Sequence, residues 1–265
     1  EDTNLLYNDL TLRSYIGNND LLVGIYNIYP GSGFIEVNKD QIFIVSSTGI
    51  IGKGKIANKK IIFKQLESNI TNFLPKEQFL DSRKLSVKGF KIIDNKVIIS
   101  FVEEISEDCW NTSLIISEIG SYKLDFTKLF SSEDCINRSN NVDNEFEAWQ
   151  AGGEIAKLSN NEILFSIGDF RSRYLAQNEN SFNGKILKIN IKTEEVDIIS
   201  MGHRNPQGLF YDPQNNFILE TEHGPQGGDE INLIEIKSEK LPNYGWAIAS
   251  YGEHYGGKKH FNDKK

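Results

Sequence analysis

The sequence predicts an all-β protein of the β-propeller class, and three observations support this prediction. The chain has 265 residues, 38% of them hydrophobic, which is enough to bury a substantial core. Helical periodicity is nearly absent, and short apolar runs alternate with clusters of Asn, Asp, Gly and Ser. A glycine-led pair of strands recurs roughly every 55–65 residues, which is typical of propeller blades. The alternative is a β-sandwich, whose turns come about every 8–12 residues without a longer repeat.

Each repeat consists of a short strand that begins near Gly, an Asn- or Asp-rich turn, and an apolar strand, which together predict a β-hairpin. The four predicted hairpins are Gly33–Ser46, Gly89–Phe101, Gly153–Ile167 and Gly208–Glu220. They predict about four blades. We expect one propeller domain over residues 1–265, incomplete at its C-terminus. A short helical turn within Leu66–Phe73 is also expected.

The two cysteines lie where strand order can bring them together. Val97–Glu104, Ser113–Glu118 and Tyr122–Phe130 are predicted to form three sequential antiparallel strands. Cys109 falls in the first connection and Cys135 after the third strand, so both lie at one end of the meander. A disulfide is therefore geometrically possible, the alternative being two unpaired thiols. A disulfide would indicate an oxidising compartment.

Composition narrows the possible partners. A net charge of −8 argues against nucleic acid, because phosphate binding needs clusters of Lys and Arg. The longest apolar runs, such as Ile42–Val45, are too short to span a bilayer. No signal peptide is visible, and the chain begins at Glu1 without Met, so we expect a removed leader or a fragment.

Two polar runs, Gly202–Leu209 and Glu222–Asn232, are the most informative part of the chain. They combine Arg, Asn, Gln, His, Asp and Glu with Gly and Pro, and the strand-like segment Phe217–Leu219 separates them. Ligand-capable side chains thus fall on successive connections of one sheet, where binding sites are commonly built.

These runs, together with Asn243–Trp246 and Ser250–Gly252, resemble the soluble aldose sugar dehydrogenases that depend on pyrroloquinoline quinone (PQQ), the glucose/sorbosone dehydrogenase family. The third repeat carries further matching segments, which are Gly152–Ile155, Ser166–Asp169, Ala176–Gln177 and Gly184–Ile189. The resemblance is strong over about Gly152–Gly257 and weak over Val23–Phe130. It implies a six-bladed β-propeller with the quinone and a calcium ion on its top face.

The resemblance also implies roles for individual side chains. Arg204 and Asn205 would contact the quinone oxygens, and Gln207 would line the same site. A guanidinium suits carboxylate and carbonyl oxygens, and it would stabilise negative charge on a quinone that is being reduced. Gln177 matches a glutamine at the cofactor, and Asp169 matches the acid that supports the catalytic base.

Two calcium sites are implied in the same way. The main-chain carbonyls of Gly224 and Pro225 would coordinate the active-site calcium, which accepts carbonyl oxygens readily. Glu230, with the carbonyls near Ser250 and Gly252, resembles the structural calcium site of the family.

Structural alternatives stay open for these residues. Arg204 could instead be a buried partner of Asp229 or Glu230, and Asn205 could cap a turn. Gly224 and Pro225 could form only a turn, as glycine and proline commonly do. The aromatic rings of Tyr244 and Trp246 suit packing between blades, and His203 and His223 suit structural roles.

The base of the family is missing from this chain. It is a His that opens the third repeat in a His-x-(Gly/Ser)-Gly-Arg motif, whereas here Gln150 stands at the His position and Glu154 at the Arg position. All four histidines come after Gly202. A base poised near neutral pH contributes roughly 10²–10⁴-fold to rate, and an amide cannot take the proton. Gln150 can still bind a sugar hydroxyl, and Asp169 could act through a water.

Three functions are therefore compared. The first is a PQQ-dependent oxidoreductase that oxidises the C1 hydroxyl of an aldose to the lactone, transfers hydride to PQQ and passes electrons to an external acceptor. The second is a non-catalytic calcium-binding propeller that binds a carbohydrate or a protein. The third is a hydrolase that uses Asp169 and Glu222 as an acid–base pair.

The resemblance also implies a periplasmic or secreted protein. It also implies further cofactor contacts from blades after Asn243–Trp246, so we expect either a partial chain or a reduced relative.

Overall fold

The computed structural model describes residues 33–57, 60–236 and 240–255. Residues 23–32 and 256–257, at the outer ends of the two resembling stretches, lie outside this part of the chain. The chain forms two compact units. One contains residues up to Ile99 and Ile115–Thr127, and the other contains Ser100–Leu114 and the residues from Lys128 onwards. The expected single domain over residues 1–265 stays a prediction.

Short strands dominate the described residues. The strands are β1 (Gly33–Asn38), β2 (Gln41–Ser46), β3 (Ile51–Ala57), β4 (Lys60–Gln65), β5 (Glu67–Ser68), β6 (Val87–Ile93), β7 (Lys96–Ser106), β8 (Cys109–Glu118), β9 (Lys123–Leu124), β10 (Thr127–Phe130), β11 (Ile136–Asn137), β12 (Gly152–Lys157), β13 (Glu162–Ile167), β14 (Lys185–Asn190), β15 (Val196–Met201), β16 (Pro206–Asp212), β17 (Phe217–Glu222) and β18 (Glu230–Glu235). One α-helix, α1 (Lys76–Asp81), and three 3₁₀ helices accompany them in the described part of the chain. The 3₁₀ helices are Ile70–Asn72, Ala148–Gln150 and Arg173–Gln177.

The described strands form four larger sheets, in which mostly consecutive strands pair, and one two-stranded sheet of β5 and β9. The orders of the four larger sheets are β1-β2-β3-β4, β6-β7-β8-β10 with β11 also on β8, β12-β13-β14-β15, and β16-β17-β18. The first, third and fourth sheets are antiparallel throughout. Such successive meanders are the building unit of a β-propeller, so the all-β architecture is the one that the sequence predicts.

All four predicted hairpins are confirmed. In two of them the last pair before the turn is at the predicted turn residues, Asn38 with Gln41 in β1–β2 and Asp212 with Phe217 in β16–β17. The other two hairpins are β6–β7 and β12–β13. Local turn chemistry was therefore sufficient to locate these strands.

The prediction of one strand over Tyr122–Phe130 is wrong. This stretch forms two separate strands, β9, which pairs in parallel with β5, and β10, which lies beside β8. The side chain of Asn69 causes the break, because its Oδ1 accepts from the N–H of Phe126 at 2.7 Å and its Nδ2 donates to the carbonyl of Phe126 at 3.0 Å. The side-chain amide of Asn69 thus satisfies the N–H and the carbonyl of Phe126, and these two groups do not pair with a neighbouring strand.

Helical structure is slightly richer than the sequence predicts. The short turn expected within Leu66–Phe73 is present as the 3₁₀ helix Ile70–Asn72. Helix α1 was not expected, and it begins directly after Pro75, whose fixed φ of −65° suits the start of a helix. In the described residues no helix is long and apolar enough to cross a membrane.

The third and fourth sheets share a hydrophobic core. Its buried members are Ala156, Leu164, Ile186, Ile218 and Ile234. Each of the strands β12, β13, β14, β17 and β18 contributes one of these side chains, which points from its sheet into the shared core. This core holds the ends of both sheets in place, and the polar connections of the candidate site extend from those ends.

A disulfide joins Cys109 to Cys135, with their Cα atoms 5.3 Å apart. Cys109 is the first residue of β8, not part of the preceding connection as expected. The pairing of Ile136 with Trp110 places β11 along the same strand next to the disulfide. The crosslink thus ties the loop that follows β10 back to β8.

Replacing both cysteines by serine should lower the free energy of unfolding by about 3 kcal/mol, because the crosslink closes a loop with a sequence separation of 26 and restricts the unfolded chain. Urea unfolding with and without reductant measures this. Reductant should destabilise the natural chain and leave the Cys109→Ser/Cys135→Ser variant unchanged. Equal stability of the two proteins without reductant would contradict the prediction.

Candidate functional site

The connections at one end of the third and fourth sheets bring most of the predicted site residues together. Gln150 directly precedes the segment that leads into β12, and Asp169 follows β13. Arg204 and Asn205 lie between β15 and β16, and Trp246 lies in the turn after β18. All of these side chains are buried.

Glu222, the last residue of β17, fixes the backbone at Arg204 and Asn205. Its Oε2 accepts from the N–H of Arg204 and, at 3.3 Å, from the N–H of Asn205. The carbonyl of Asn205 accepts from the N–H of His223 at 3.2 Å. A buried carboxylate bonded to two successive N–H groups is a charge-assisted anchor, so the direction of Arg204 depends on it.

Gly202 allows the connection between β15 and β16 to come close to the turn that contains Trp246. Gly202 has a φ of +78°, and a Cβ there would collide with the side-chain oxygen of Asn243. The carbonyl of Gly202 accepts from the N–H of Trp246 at 3.0 Å. This close contact brings the indole of Trp246 into the site.

The Arg204 guanidinium is held mainly by neutral oxygens. Nη1 donates to the carbonyls of His223 at 2.8 Å and Gly224 at 2.7 Å, and Nη2 donates to the side-chain oxygen of Gln150 at 2.9 Å. Its carbon lies 5.4 Å from the centre of the Trp246 ring. Nε is buried and has no hydrogen-bond partner. Burial lowers the pKa of Arg204, and the nearby Asp169 opposes that shift.

An ion pair of Arg204 with Asp229 or Glu230, the alternative considered above, does not occur among the described residues. Asp229 accepts from the N–H of Gly224 at 3.0 Å and so closes the turn between β17 and β18. The guanidinium is therefore held by carbonyl and amide oxygens rather than by these two acids, and its buried Nε donor has no partner.

Asp169 is fully buried and bonded on both oxygens. Oδ1 accepts from the N–H of Arg171 at 2.8 Å, and Oδ2 accepts from the indole N–H of Trp246 at 2.6 Å. Burial raises the pKa of Asp169 to about 6, although Arg204 and these hydrogen bonds favour the charged form. A carboxyl with this pKa changes its charge close to neutral pH.

Gln150 connects the charged groups of the site. Its amide nitrogen donates to Asp169 Oδ1 at 3.0 Å, and its oxygen accepts from Arg171 Nε at 3.1 Å and Arg204 Nη2 at 2.9 Å. A neutral side chain with a donor at one end and an acceptor at the other suits this place between a carboxylate and two guanidiniums. Gln150 is therefore a bridge at the position where the family has its base.

The other three residues predicted to contact the cofactor, Gln177, Asn205 and Gln207, differ in burial and in hydrogen-bond partners. Gln177 uses its amide to hold the turn after β18, because it donates to the carbonyl of Trp246 and exchanges hydrogen bonds with the amide of Asn243. Asn205 Oδ1 accepts from the N–H of Gly152 at 3.1 Å. Gln207 is exposed on β16. The structure thus gives Gln177 and Asn205 positioning contacts within the site.

The carbonyls assigned to the active-site calcium both accept hydrogen bonds in this arrangement. The oxygen of Gly224 already accepts from the Arg204 guanidinium, and the oxygen of Pro225 accepts from the N–H of Gly228 at 2.8 Å. A dication on Gly224 would lie next to a positive guanidinium, and like charges repel strongly at such distances. Calcium binding at these carbonyls stays a prediction from the resemblance.

The residues assigned to the structural calcium site make separate contacts. Glu230 Oε2 accepts from Asn232 at 3.3 Å, and burial together with Glu222 raises the pKa of Glu230. Ser250 Oγ accepts from the N–H of Gly252 at 3.1 Å. The second calcium site also stays a prediction from the resemblance.

Sequence reasoning missed two contributors to the site. Arg171 was not considered, because only its backbone position after Asp169 places it beside Gln150. Trp246 was expected to pack between blades, whereas its indole N–H donates to Asp169 and its ring stacks on His254 at 6.0 Å. The Asn-Tyr-Gly-Trp segment was a signal for Trp246, and no comparable signal marked Arg171.

Residues 95–265 match the family model described as Glucose / Sorbosone dehydrogenase. The chain belongs to the glucose/sorbosone dehydrogenase family. The matched region includes the whole candidate site, so the resemblance seen in the motifs is confirmed.

Individual family members support this assignment. The chain is 32% identical over 121 residues to aldose sugar dehydrogenase YliI of Escherichia coli (strain K12), a match that covers 41% of this chain and 32% of that protein. It is 38% identical over 88 residues to quinoprotein glucose dehydrogenase B of Acinetobacter calcoaceticus, covering 29% and 17%. These matches span about a third or less of the relatives' own lengths.

A solved structure of the family shares the fold. The PQQ-bound form of aldose sugar dehydrogenase from Streptomyces coelicolor superimposes with a TM-score of 0.61 at 19% identity, covering 88% of this chain and 71% of that one. The predicted β-propeller class is therefore confirmed.

Asp169 should titrate near pH 6, and the fluorescence of Trp246 should report it because the two side chains share a hydrogen bond. The folded pKa lies above the unfolded value of 3.8, so the stabilisation from this proton is complete below pH 3.8 and is lost as the pH rises through about 6. The loss amounts to about 3 kcal/mol. Fluorescence and urea unfolding across pH 4–8 measure both effects.

The isosteric variant Asp169→Asn is the control for this titration, because it keeps the shape and cannot ionise. The difference between the two fluorescence profiles should show one midpoint near pH 6. Identical profiles would contradict a raised pKa at Asp169.

Proposed function

We propose that this chain carries the quinone-facing part of a PQQ-dependent sugar dehydrogenase, an oxidoreductase that acts on the C1 hydroxyl of an aldose. Family membership supports an oxidoreductase in general, and the chemistry in this divergent chain is our proposal. The observation that carries it is the buried Arg204 guanidinium, which stacks on Trp246 and has an unpartnered Nε donor. A buried donor of this kind has an energetic need for an oxygen ligand.

In this proposal Arg204 binds the anionic oxygens of the quinone and Trp246 provides the apolar face beside them. PQQ, when bound, accepts the two electrons that leave the sugar, and an external acceptor then takes them. Gln177 and Asn205 hold the surrounding backbone. Their hydrogen bonds to Trp246 and Gly152 pre-organise the pocket, so little reorganisation accompanies binding.

Proton transfer is the weak step of the proposed reaction. Gln150 can accept a hydrogen bond from a sugar hydroxyl but cannot take its proton. Asp169, with a pKa of about 6, is the titratable group in contact with Gln150, and it is the proposed proton acceptor, acting through a water. A carboxyl with that pKa is ionised at neutral pH and is a weaker base than an unperturbed imidazole. We therefore expect a slow enzyme.

A non-catalytic propeller that binds a carbohydrate or a protein is the second candidate. Two contacts favour the non-catalytic propeller. The amide of Gln150, at the predicted base position, already makes hydrogen bonds at both ends. The Arg204 guanidinium donates to the Gly224 carbonyl, which is a predicted calcium ligand. The hydrolase alternative is less favoured. Glu222 Oε2 holds the backbone N–H groups of Arg204 and Asn205, and two carboxylates by themselves are weak evidence for an acid–base pair.

The cellular location is also a proposal. The disulfide between Cys109 and Cys135 supports an oxidising compartment, which agrees with a periplasmic or secreted protein.

Replacing Arg204 by Ala should weaken PQQ binding at least 100-fold, because a buried charge-assisted contact contributes roughly 3 kcal/mol. Absorbance titration of the full chain with PQQ, with and without calcium, measures the affinity. Arg138→Ala is the matched control, because Arg138 is a partly exposed arginine that pairs with Asp108 instead. Equal PQQ affinity of Arg204→Ala and the natural chain would remove Arg204 from its proposed role.

Introducing the family's base by Gln150→His should raise PQQ-dependent aldose oxidation roughly 10²–10⁴-fold. A dye-linked assay of the PQQ-loaded full chain measures the rate. Gln150→Ala, which removes the amide without adding a base, should give no increase. If PQQ binds to Gln150→His but the rate does not rise, the non-catalytic propeller is the better account.

A further inference from the structure

A second polar cluster lies beside the backbone of Arg204. It contains Glu220 and Glu222 on β17, Asn232 on β18, and His203 in the connection before β16. Glu220 and His203 are completely buried, and Glu222 is nearly so. Neither the sequence motifs nor the proposed oxidation chemistry uses Glu220.

The ligand-capable atoms of His203, Glu220 and Glu222 converge on one point. All three groups place such an atom within 4.8 Å of the other two. His203 Nδ1 lies 3.1 Å from Glu222 Oε1 and 3.7 Å from Glu220 Oε2. Ligands bound tetrahedrally at about 2.1 Å stand about 3.4 Å apart, so these separations suit a small divalent cation.

The orientation of His203 also suits a ligand. Its Nε2 is 2.7 Å from Ser200 Oγ, which leaves Nδ1 directed at the two carboxylates. Its ring stacks on Tyr244 with centroids 5.0 Å apart. Histidines that bind metal usually donate their other ring N–H to an oxygen, and this contact fixes both the tautomer and the ring.

The charges of the cluster are poorly balanced without a cation. No Lys or Arg pairs with Glu220 or Glu222 in the described residues, and the shared donor is the neutral amide of Asn232, at 3.0 Å and 3.2 Å. Oε1 of Glu220 is buried without any hydrogen-bond partner, so a proton there would have no acceptor.

We propose that His203, Glu220 and Glu222 form a buried site for a divalent transition metal such as Zn²⁺ or Mn²⁺. An imidazole nitrogen with two carboxylates suits these ions better than Ca²⁺, which prefers oxygen ligands only. The site shares no residue with either predicted calcium site. The metal would neutralise the carboxylates and lock Glu222 in the position that holds Arg204, independently of any sugar chemistry.

The test uses the full chain after treatment with a chelator. Titration calorimetry with ZnCl₂ and with MnCl₂ should show one saturable equivalent for at least one of these ions, and the thermal midpoint should rise on binding. CaCl₂ titrated in parallel should not compete for this site. Absence of saturable binding by both transition metals would overturn the proposal.

Variants locate the binding site. Glu220→Gln keeps the side-chain shape and removes one ligand charge, so it should fold and bind the metal at least 100-fold more weakly. His203→Gln should weaken binding similarly, and it provides a second readout if Glu220→Gln does not fold. Glu235→Gln, an exposed acid on β18, and His223→Gln, an exposed histidine, are the matched controls. Binding that persists in Glu220→Gln and is lost in His223→Gln would place the metal at the surface and overturn the proposal.

Discussion

The contact between the Glu222 carboxylate and the backbone N–H groups of Arg204 and Asn205 is the one on which the candidate site depends. Three successive side chains leave that segment in different directions. His203 points into the buried acidic cluster, Arg204 points to Gln150, and Asn205 bonds the start of β12. One buried acid at the end of β17 therefore sets the geometry of both the candidate site around Arg204 and the proposed metal site.

Charge balance explains how Gln150 fits the site without the family's base. Asp169 and the two arginines, Arg171 and Arg204, would otherwise face each other across a gap, and the Gln150 amide offers a donor to the acid and an acceptor to both guanidiniums. Burial raises the pKa of Asp169 to about 6, so this carboxyl changes its charge close to neutral pH. If Gln150 stands at the base position that the resemblance implies, the amide completes the hydrogen bonds of the site but cannot take a proton directly.

The sequence predicted features that depend on local chemistry and missed those that depend on distant partners. The four hairpins follow from turn residues next to the strands, and the disulfide follows from strand order. The break at Phe126 depends on Asn69, a residue 57 positions away, so no local pattern signalled it. The motif identified Arg204, but its carbonyl partners and the bridging role of Gln150 arise only when separate connections meet.

Amide hydrogen exchange at Arg204 and Asn205 is the measurement that tests the central role of Glu222 most directly. The two N–H groups should exchange slowly in the natural chain because they are buried and bonded to a carboxylate. In Glu222→Gln, which keeps the shape and loses the charge, both should exchange at least about tenfold faster, while amides within β13 and β14 stay unchanged. Unchanged exchange at Arg204 and Asn205 would contradict the account.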